Sequence, residues 1–200
     1  MSGDLRGPLP ASTAYLCIDM QNLFAQDTPW RAPWMDQVRP VVARLARFRP
    51  AANIFTRFIP LRRPSEASGT WRAYFERWHA LTRDEIDPRL LDLVPELREL
   101  VPPATVFDQQ VHSPFHGGCL AAALHERGLD GLVVSGTETD VRVLAAVLDA
   151  VDHGFRVVIA SDALCNSADE THDVLQKLFH ERFGLQIEAA PTDAILAAWR

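Results

Sequence analysis

Short apolar runs alternate with amphipathic stretches along almost the whole of this chain, and that alternation constrains its fold most. Tyr15–Ile18, Asn53–Phe58, Thr105–Phe107, Leu132–Ser135, Val157–Ala160 and Gln186–Ala189 are short, apolar and β-branched, and they read as buried strands. Between them, Met35–Phe48 and stretches near Leu120–Arg127, Val141–His153, Asp169–Phe183 and Asp193–Trp199 carry the periodicity of amphipathic helices. Gly128, Gly154 and Gly184 each fall just past a helix, where a glycine relieves the left-handed turn. Strand–helix alternation of this kind predicts an α/β fold in three layers, a mostly parallel six-stranded sheet flanked by helices. The 200 residues fit one domain, 1–200, with a sizeable core, and show no internal repeat or low-complexity tract.

Composition narrows the partners. A net charge of −6 argues against nucleic acid, which calls for a basic footprint. No apolar run approaches the ~18 residues of a membrane span. Met1 to Thr13 lacks the apolar stretch of a secretory signal. Cys17, Cys119 and Cys165 are too few and too scattered for a disulfide framework, so a reduced, cytoplasmic setting is expected.

The connection from Phe58 to Thr105 is too long for a bare loop. Trp71, Tyr74, Phe75 and Trp78 fall at i, i+3, i+4 and i+7 within it, one face of a helix. That face packs into the core, or it forms a pocket wall or a subunit interface. The surplus of large apolar side chains there predicts a homodimer or higher homo-oligomer, with Trp71–Trp78 near the contact.

Three segments carry the chemical signal. The first is Ala14-Tyr-Leu-Cys-Ile-Asp-Met-Gln-Asn22, the second Gly136-Thr-Glu-Thr-Asp-Val-Arg-Val143, the third Ala160-Ser-Asp-Ala-Leu-Cys165. Together they resemble the isochorismatase-like cysteine hydrolase superfamily, which includes nicotinamidases, other small-amide hydrolases and isochorismatases. The family pattern reads apolar-Asp-x-Gln-Asn, then Lys-x-x-x-Ser-x-Phe, then Gly-x-x-Thr-Asp-x-Cys-Val. In this chain the Asp is Asp19, the Lys position holds Gln109 and the Cys position holds Arg142. The resemblance implies a Rossmann-like fold, with these three positions converging beyond the carboxyl ends of the strands. It also implies that Gln21 and Asn22 orient the first loop. Thr139 would bond the turn before the helix, and Asp140 is placed to cap that helix. The loop at Thr137 and Glu138 would form the oxyanion hole, with a non-proline cis bond between them. Some family members bind a metal through Asp-x-His after the second strand. Here Thr56-Arg-Phe-Ile-Pro60 offers no such ligands, so neither metal nor cofactor is expected.

Arginine cannot replace a thiolate, because its guanidinium stays protonated and is no nucleophile. A cation in the first helical turn opposes the helix dipole by about 0.3–1 kcal/mol, so a compensating partner is expected. Asp19 is that partner: the cation missing at Gln109 reappears at Arg142, and an Asp19–Arg142 ion pair follows. Cys17 reads as a small core residue, and Cys165 as packing in the loop after the fifth strand. Cys119, after His116-Gly-Gly, sits in the wrong loop for the family geometry. His112, His116 and His172 fall near the crevice and read first as solvated or satisfied side chains. Two functions follow. One is a catalytically silent family member that binds a small molecule or serves in assembly. The other is a non-cysteine hydrolase in which Asp19 is the general acid and Arg142 or Arg57 holds a substrate carboxylate. A filled crevice favours the first reading and an open one the second.

Overall fold

A computed structural model describes residues 5–200, with the backbone alone described at Asp169. Strands β1 (Thr13–Ile18), β2 (Asn53–Phe58), β3 (Thr105–Gln109), β4 (Gly131–Thr137), β5 (Arg156–Cys165) and β6 (Ile187–Ala190) form one sheet, ordered β3-β2-β1-β4-β5-β6. Every pairing in it is parallel. The helices are α1 (Asn22–Ala25), α2 (Met35–Phe48), α3 (Thr70–Arg77), α4 (Pro95–Arg98), α5 (Cys119–Glu126), α6 (Leu144–Asp152), α7 (Asp169–Glu181) and α8 (Thr192–Ala198). No helix among the described residues is long and apolar enough to cross a membrane.

Side chains leave a strand alternately to its two faces, and the core divides accordingly. Tyr15, Cys17, Phe55, Val133 and Val158 join Met35, Val42 and Leu45 of α2 on one face. Leu16, Ile18, Val134, Val157 and Ile159 join Leu124 of α5, Val147 of α6 and Phe179 of α7 on the other. β1 and β4 are buried along their whole length, which is why they read as continuous apolar runs.

The chain moves outward from β1 to β2 and β3, then returns to the other side of β1 as β4. The crevice of an open α/β sheet lies at such a reversal. Gly136 sets its geometry. Its φ is +123°, and a Cβ there would sit 2.1 Å from the Ile18 carbonyl oxygen. Only glycine lets the end of β4 lie so close against the end of β1. The β4–β5 register also shifts between Val134 and Gly136.

Two local expectations change. Gly128 and Gly154 adopt positive φ, but Gly184 does not. Gly184 is small for another reason: a Cβ there would stand 2.5 Å from the His180 carbonyl oxygen. The helix after β4 does not begin at Val141. A wide π-helical turn, Thr139–Val143, precedes α6, and the Glu138 carbonyl accepts from the N–H groups of Val141, Arg142 and Val143.

Candidate functional site

Asp19 follows the last residue of β1 in a left-handed conformation, φ +48°, and its side chain is fully buried. Short polar side chains tolerate that region better than most. Its backbone N–H donates to Thr56 Oγ1 at 3.1 Å, and the Thr56 hydroxyl donates back to Asp19 Oδ1. Gln109, at the end of β3, reaches past β2 and donates from Nε2 to Asp19 Oδ2 at 3.0 Å. The neutral amide thus gives the carboxylate a hydrogen bond but no charge. Gln21 locks the loop: its Oε1 accepts from Phe58 N at 2.7 Å, and its Nε2 donates to the carbonyls of Phe58 and Leu91. Asn22 donates to the Arg89 carbonyl at 3.0 Å. Both side chains orient the loop after β1.

Arg142 comes from the π turn and is 1% exposed. Its Nε lies 3.2 Å from Asp19 Oδ2, an ion pair, and its Nη1 donates to the Glu138 carboxylate. The guanidinium carbon stands 4.2 Å from the Phe58 ring centroid, 5.0 Å from Phe24 and 5.7 Å from Trp30. Aromatic faces attract a cation at these distances. Among the described residues Nε and Nη2 have no aligned acceptor, so the hold on Arg142 is largely charge and ring contact. Trp30 also packs against Tyr74 and Trp78 at 5.8 and 5.9 Å, and Trp71 lies 4.6 Å from the His112 ring. The aromatic face of α3 is therefore turned inward over this cluster.

Burial, the largest influence, raises the Asp19 carboxyl to about 6, while Arg142, Thr56 and Gln109 pull the other way. Burial likewise raises Glu138 against the opposing charge of Arg142. His112 is lowered, first by burial and then by Arg142.

The sequence-derived residues Asp19, Gln109, Arg142 and Glu138 thus meet in one cluster, with Thr137 and Thr139 at its edge. The hydroxyls of Thr137 and Thr139 both donate to the Cys165 carbonyl, Thr139 at 3.0 Å. Several expectations are corrected. Thr137–Glu138 is trans; among the described residues the cis bonds are Val101–Pro102 and Pro102–Pro103. In the trans form, the lower in energy for a non-proline residue, Glu138 sends its carboxylate to Arg142. Asp140 does not stand at the cap: it lies inside the wide turn, whose N-cap is Glu138, and that turn brings three N–H groups to the Glu138 carbonyl. Arg57 is committed to Asp108, through two bonds of 2.7 and 2.8 Å, and does not face Asp19. Cys165 ends β5 rather than lying in the loop beyond it. Thr56, Phe24, Trp30 and Phe58 were not singled out from the sequence. Only Thr56 left a trace there, as a lone hydroxyl inside a run that is otherwise mostly apolar.

The family's sequence model, described as the Isochorismatase domain, matches residues 13–191. The chain belongs to the isochorismatase family. Over 199 residues it is 27% identical to enterobactin synthase component B of Escherichia coli, covering 96% of this chain and 67% of that protein. It is 31% identical to the maleamate amidohydrolase of Pseudomonas putida over 68 residues, 34% of this chain and only 32% of that enzyme. A cysteine hydrolase from Pseudomonas syringae superposes with a TM-score of 0.80 at 22% identity, over 97% of this chain and 95% of that one. The nicotinamidase of Bacillus subtilis superposes with a TM-score of 0.68 at 22% identity, over 88% and 98% of the two chains. At such identity these two superpositions carry the isochorismatase-like fold alone.

Proposed function

We propose that this isochorismatase-family chain is a catalytically silent member, inactive as a cysteine amidohydrolase, that binds a small molecule or serves in assembly. One observation carries the reading: Arg142, 1% exposed, fills the space beside Asp19. A buried guanidinium is neither a nucleophile nor a general base. Gln109, at the family's lysine position, leaves Asp19 with Arg142 as its cation. The two buried thiols give no substitute, since burial pushes Cys17 and Cys165 up to about 12. The chain is further proposed to act as one cytoplasmic domain in a homo-oligomer, which light scattering at micromolar concentration tests by mass.

The deciding experiment is ammonia release from maleamate and nicotinamide, the amides that the relatives' names point to. No turnover above the blank is expected. A rate abolished by Asp19→Ala and untouched by Cys119→Ser would overturn the proposal. It would favour the second reading, Asp19 as a general acid on a small carboxylate. The support for that alternative is a carboxyl raised to about 6, close to what proton donation at neutral pH requires. Its difficulty is access, since Asp19 is fully buried.

A further inference from the structure

β3 is an outer strand of the sheet, and its far edge is bare. The Gln109 carbonyl accepts from the Ile59 N–H just past β2, so the backbone of Gln109 faces β2. Backbone groups alternate in direction along a strand. Those of Thr105 and Phe107 therefore face β2 as well, and those of Val106 and Asp108 point away from the sheet. Among the described residues none of these four outward N–H and C=O groups has a hydrogen-bond partner. An open groove of about 610 Å³ is lined by Phe107, Asp108, Gln109, Gln110 and Val111 in unbroken succession. Successive side chains leave a strand to opposite faces, so a groove that touches Phe107, Asp108 and Gln109 in turn runs along the edge.

A bare edge recruits another strand, and proteins guard against it. The opposite edge of this sheet is guarded. β6 has four residues and runs into Pro191, and Arg6 donates to the Glu188 carboxylate and to the carbonyls of Leu185 and Gly184. β3 carries neither proline nor lysine. Its one charge, Asp108, is neutralised by Arg57 through two bonds of 2.7 and 2.8 Å.

The strand is also complementary to itself. In an antiparallel pair of β3 strands centred on Phe107, Val106 of each copy faces Asp108 of the other, and every outward group is bonded. Phe107 stands opposite its counterpart, an aromatic cross-strand pair. The two Asp108 carboxylates stay apart, and each keeps its own Arg57. Centring on Asp108 would oppose the carboxylates directly. Centring on Val106 would set Asp108 against Ala104, whose N–H is already bonded to the Leu100 carbonyl.

We propose that two copies of this chain join β3 to β3, antiparallel about a two-fold axis at Phe107, so that the sheet continues from one chain into the next. The aromatic face of α3, where the sequence placed the contact, is turned inward instead. This inference rests on the homo-oligomer proposed above and names the surface that makes it.

The test begins with the mass of the full chain at micromolar concentration, which should be that of a dimer or a multiple of it. A monomer overturns this inference and the homo-oligomer together. Phe107→Lys sets like charges opposite each other and should weaken the dimer by at least about tenfold. Because Phe107 also packs against the core beneath the sheet, a cross-link is the second test. In a Cys119→Ser background, Phe107→Cys brings two thiols onto Cα atoms roughly 4.5 Å apart, within reach of a disulfide. Oxidation with diamide should convert most of that variant to a covalent dimer on a denaturing gel. Thr105→Cys, which falls opposite Gln109 of the other copy, should stay a single chain. An oligomer that a folded Phe107→Lys leaves intact, or one in which Phe107→Cys cross-links no better than Thr105→Cys, would overturn the β3 interface and leave the homo-oligomer standing.

Discussion

Arg142 is held by two carboxylates and three aromatic rings, and most of its own donors go unanswered. Such a group adds little net stability, yet removing it strands the charges it faced. Arg142→Met should therefore lower the free energy of unfolding by about 3–5 kcal/mol at about pH 8. At about pH 5 the loss should be smaller, because Asp19 and Glu138 can take up protons instead of remaining buried anions. Adding Asp19→Asn should recover part of the loss. Urea denaturation at the two pH values checks this, and an equal loss at both would sink it. A second prediction concerns Asp19 alone. Its folded pKa, about 6, lies above the ordinary 3.8. The folded state therefore binds the extra proton, and the contribution to stability is complete below about 3.8 and lost as pH rises through about 6. Relative to Asp19→Asn, the wild type should lose on the order of 3 kcal/mol across that window. A flat difference curve would show that the carboxyl titrates normally.

The elements that hold this cluster depend on one close approach, the end of β4 against the end of β1. At Gly136 a side chain meets both a forbidden φ and the Ile18 backbone. Gly136→Ala should destabilise by about 3 kcal/mol or more, at the upper end for a single methyl group, since backbone cannot move aside cheaply. Thermal unfolding checks it, and a shift of a degree or less would mean that β1 and β4 can separate without cost. The strands were legible in the sequence because β1 and β4 are buried on both faces and so lack polar alternation. Their ends were less so: β5 runs on to Cys165 through the polar pair Ser161–Asp162, which breaks the apolar run without breaking the strand. The Asp19–Arg142 pair was legible because a cation opposing a helix dipole calls for a partner. The role of Glu138 was hidden, because an i,i+4 pair to Arg142 looks like any exposed helical pair until burial is known. The aromatic cover was half legible. The i, i+3, i+4, i+7 spacing gave α3 its face, but nothing in the sequence placed Trp30 between that helix and Arg142.

Across the whole molecule, the three thiols report on how cooperatively the two sides of the sheet hold together. Cys119, at the start of α5, is exposed, whereas Cys17 and Cys165 are buried in strands of the same core layer as Tyr15 and Phe55. Burial raises both buried thiols to about 12, so neither carries appreciable thiolate at neutral pH while the sheet stays closed. A thiol-reactive chromophore at about pH 8 should therefore label one cysteine per native chain quickly, and Cys119→Ser should abolish that phase. The remaining two should react only as fast as the sheet opens. β1 and β5 flank β4 on opposite sides, so exposing both thiols requires the centre of the sheet to come apart. Their labelling rates should thus be equal to each other and should rise together in denaturant, as global unfolding demands. Faster labelling of Cys165 than of Cys17 would show instead that the β5–α7 edge opens on its own, a sub-global motion that leaves β1 and the Arg142 cluster intact.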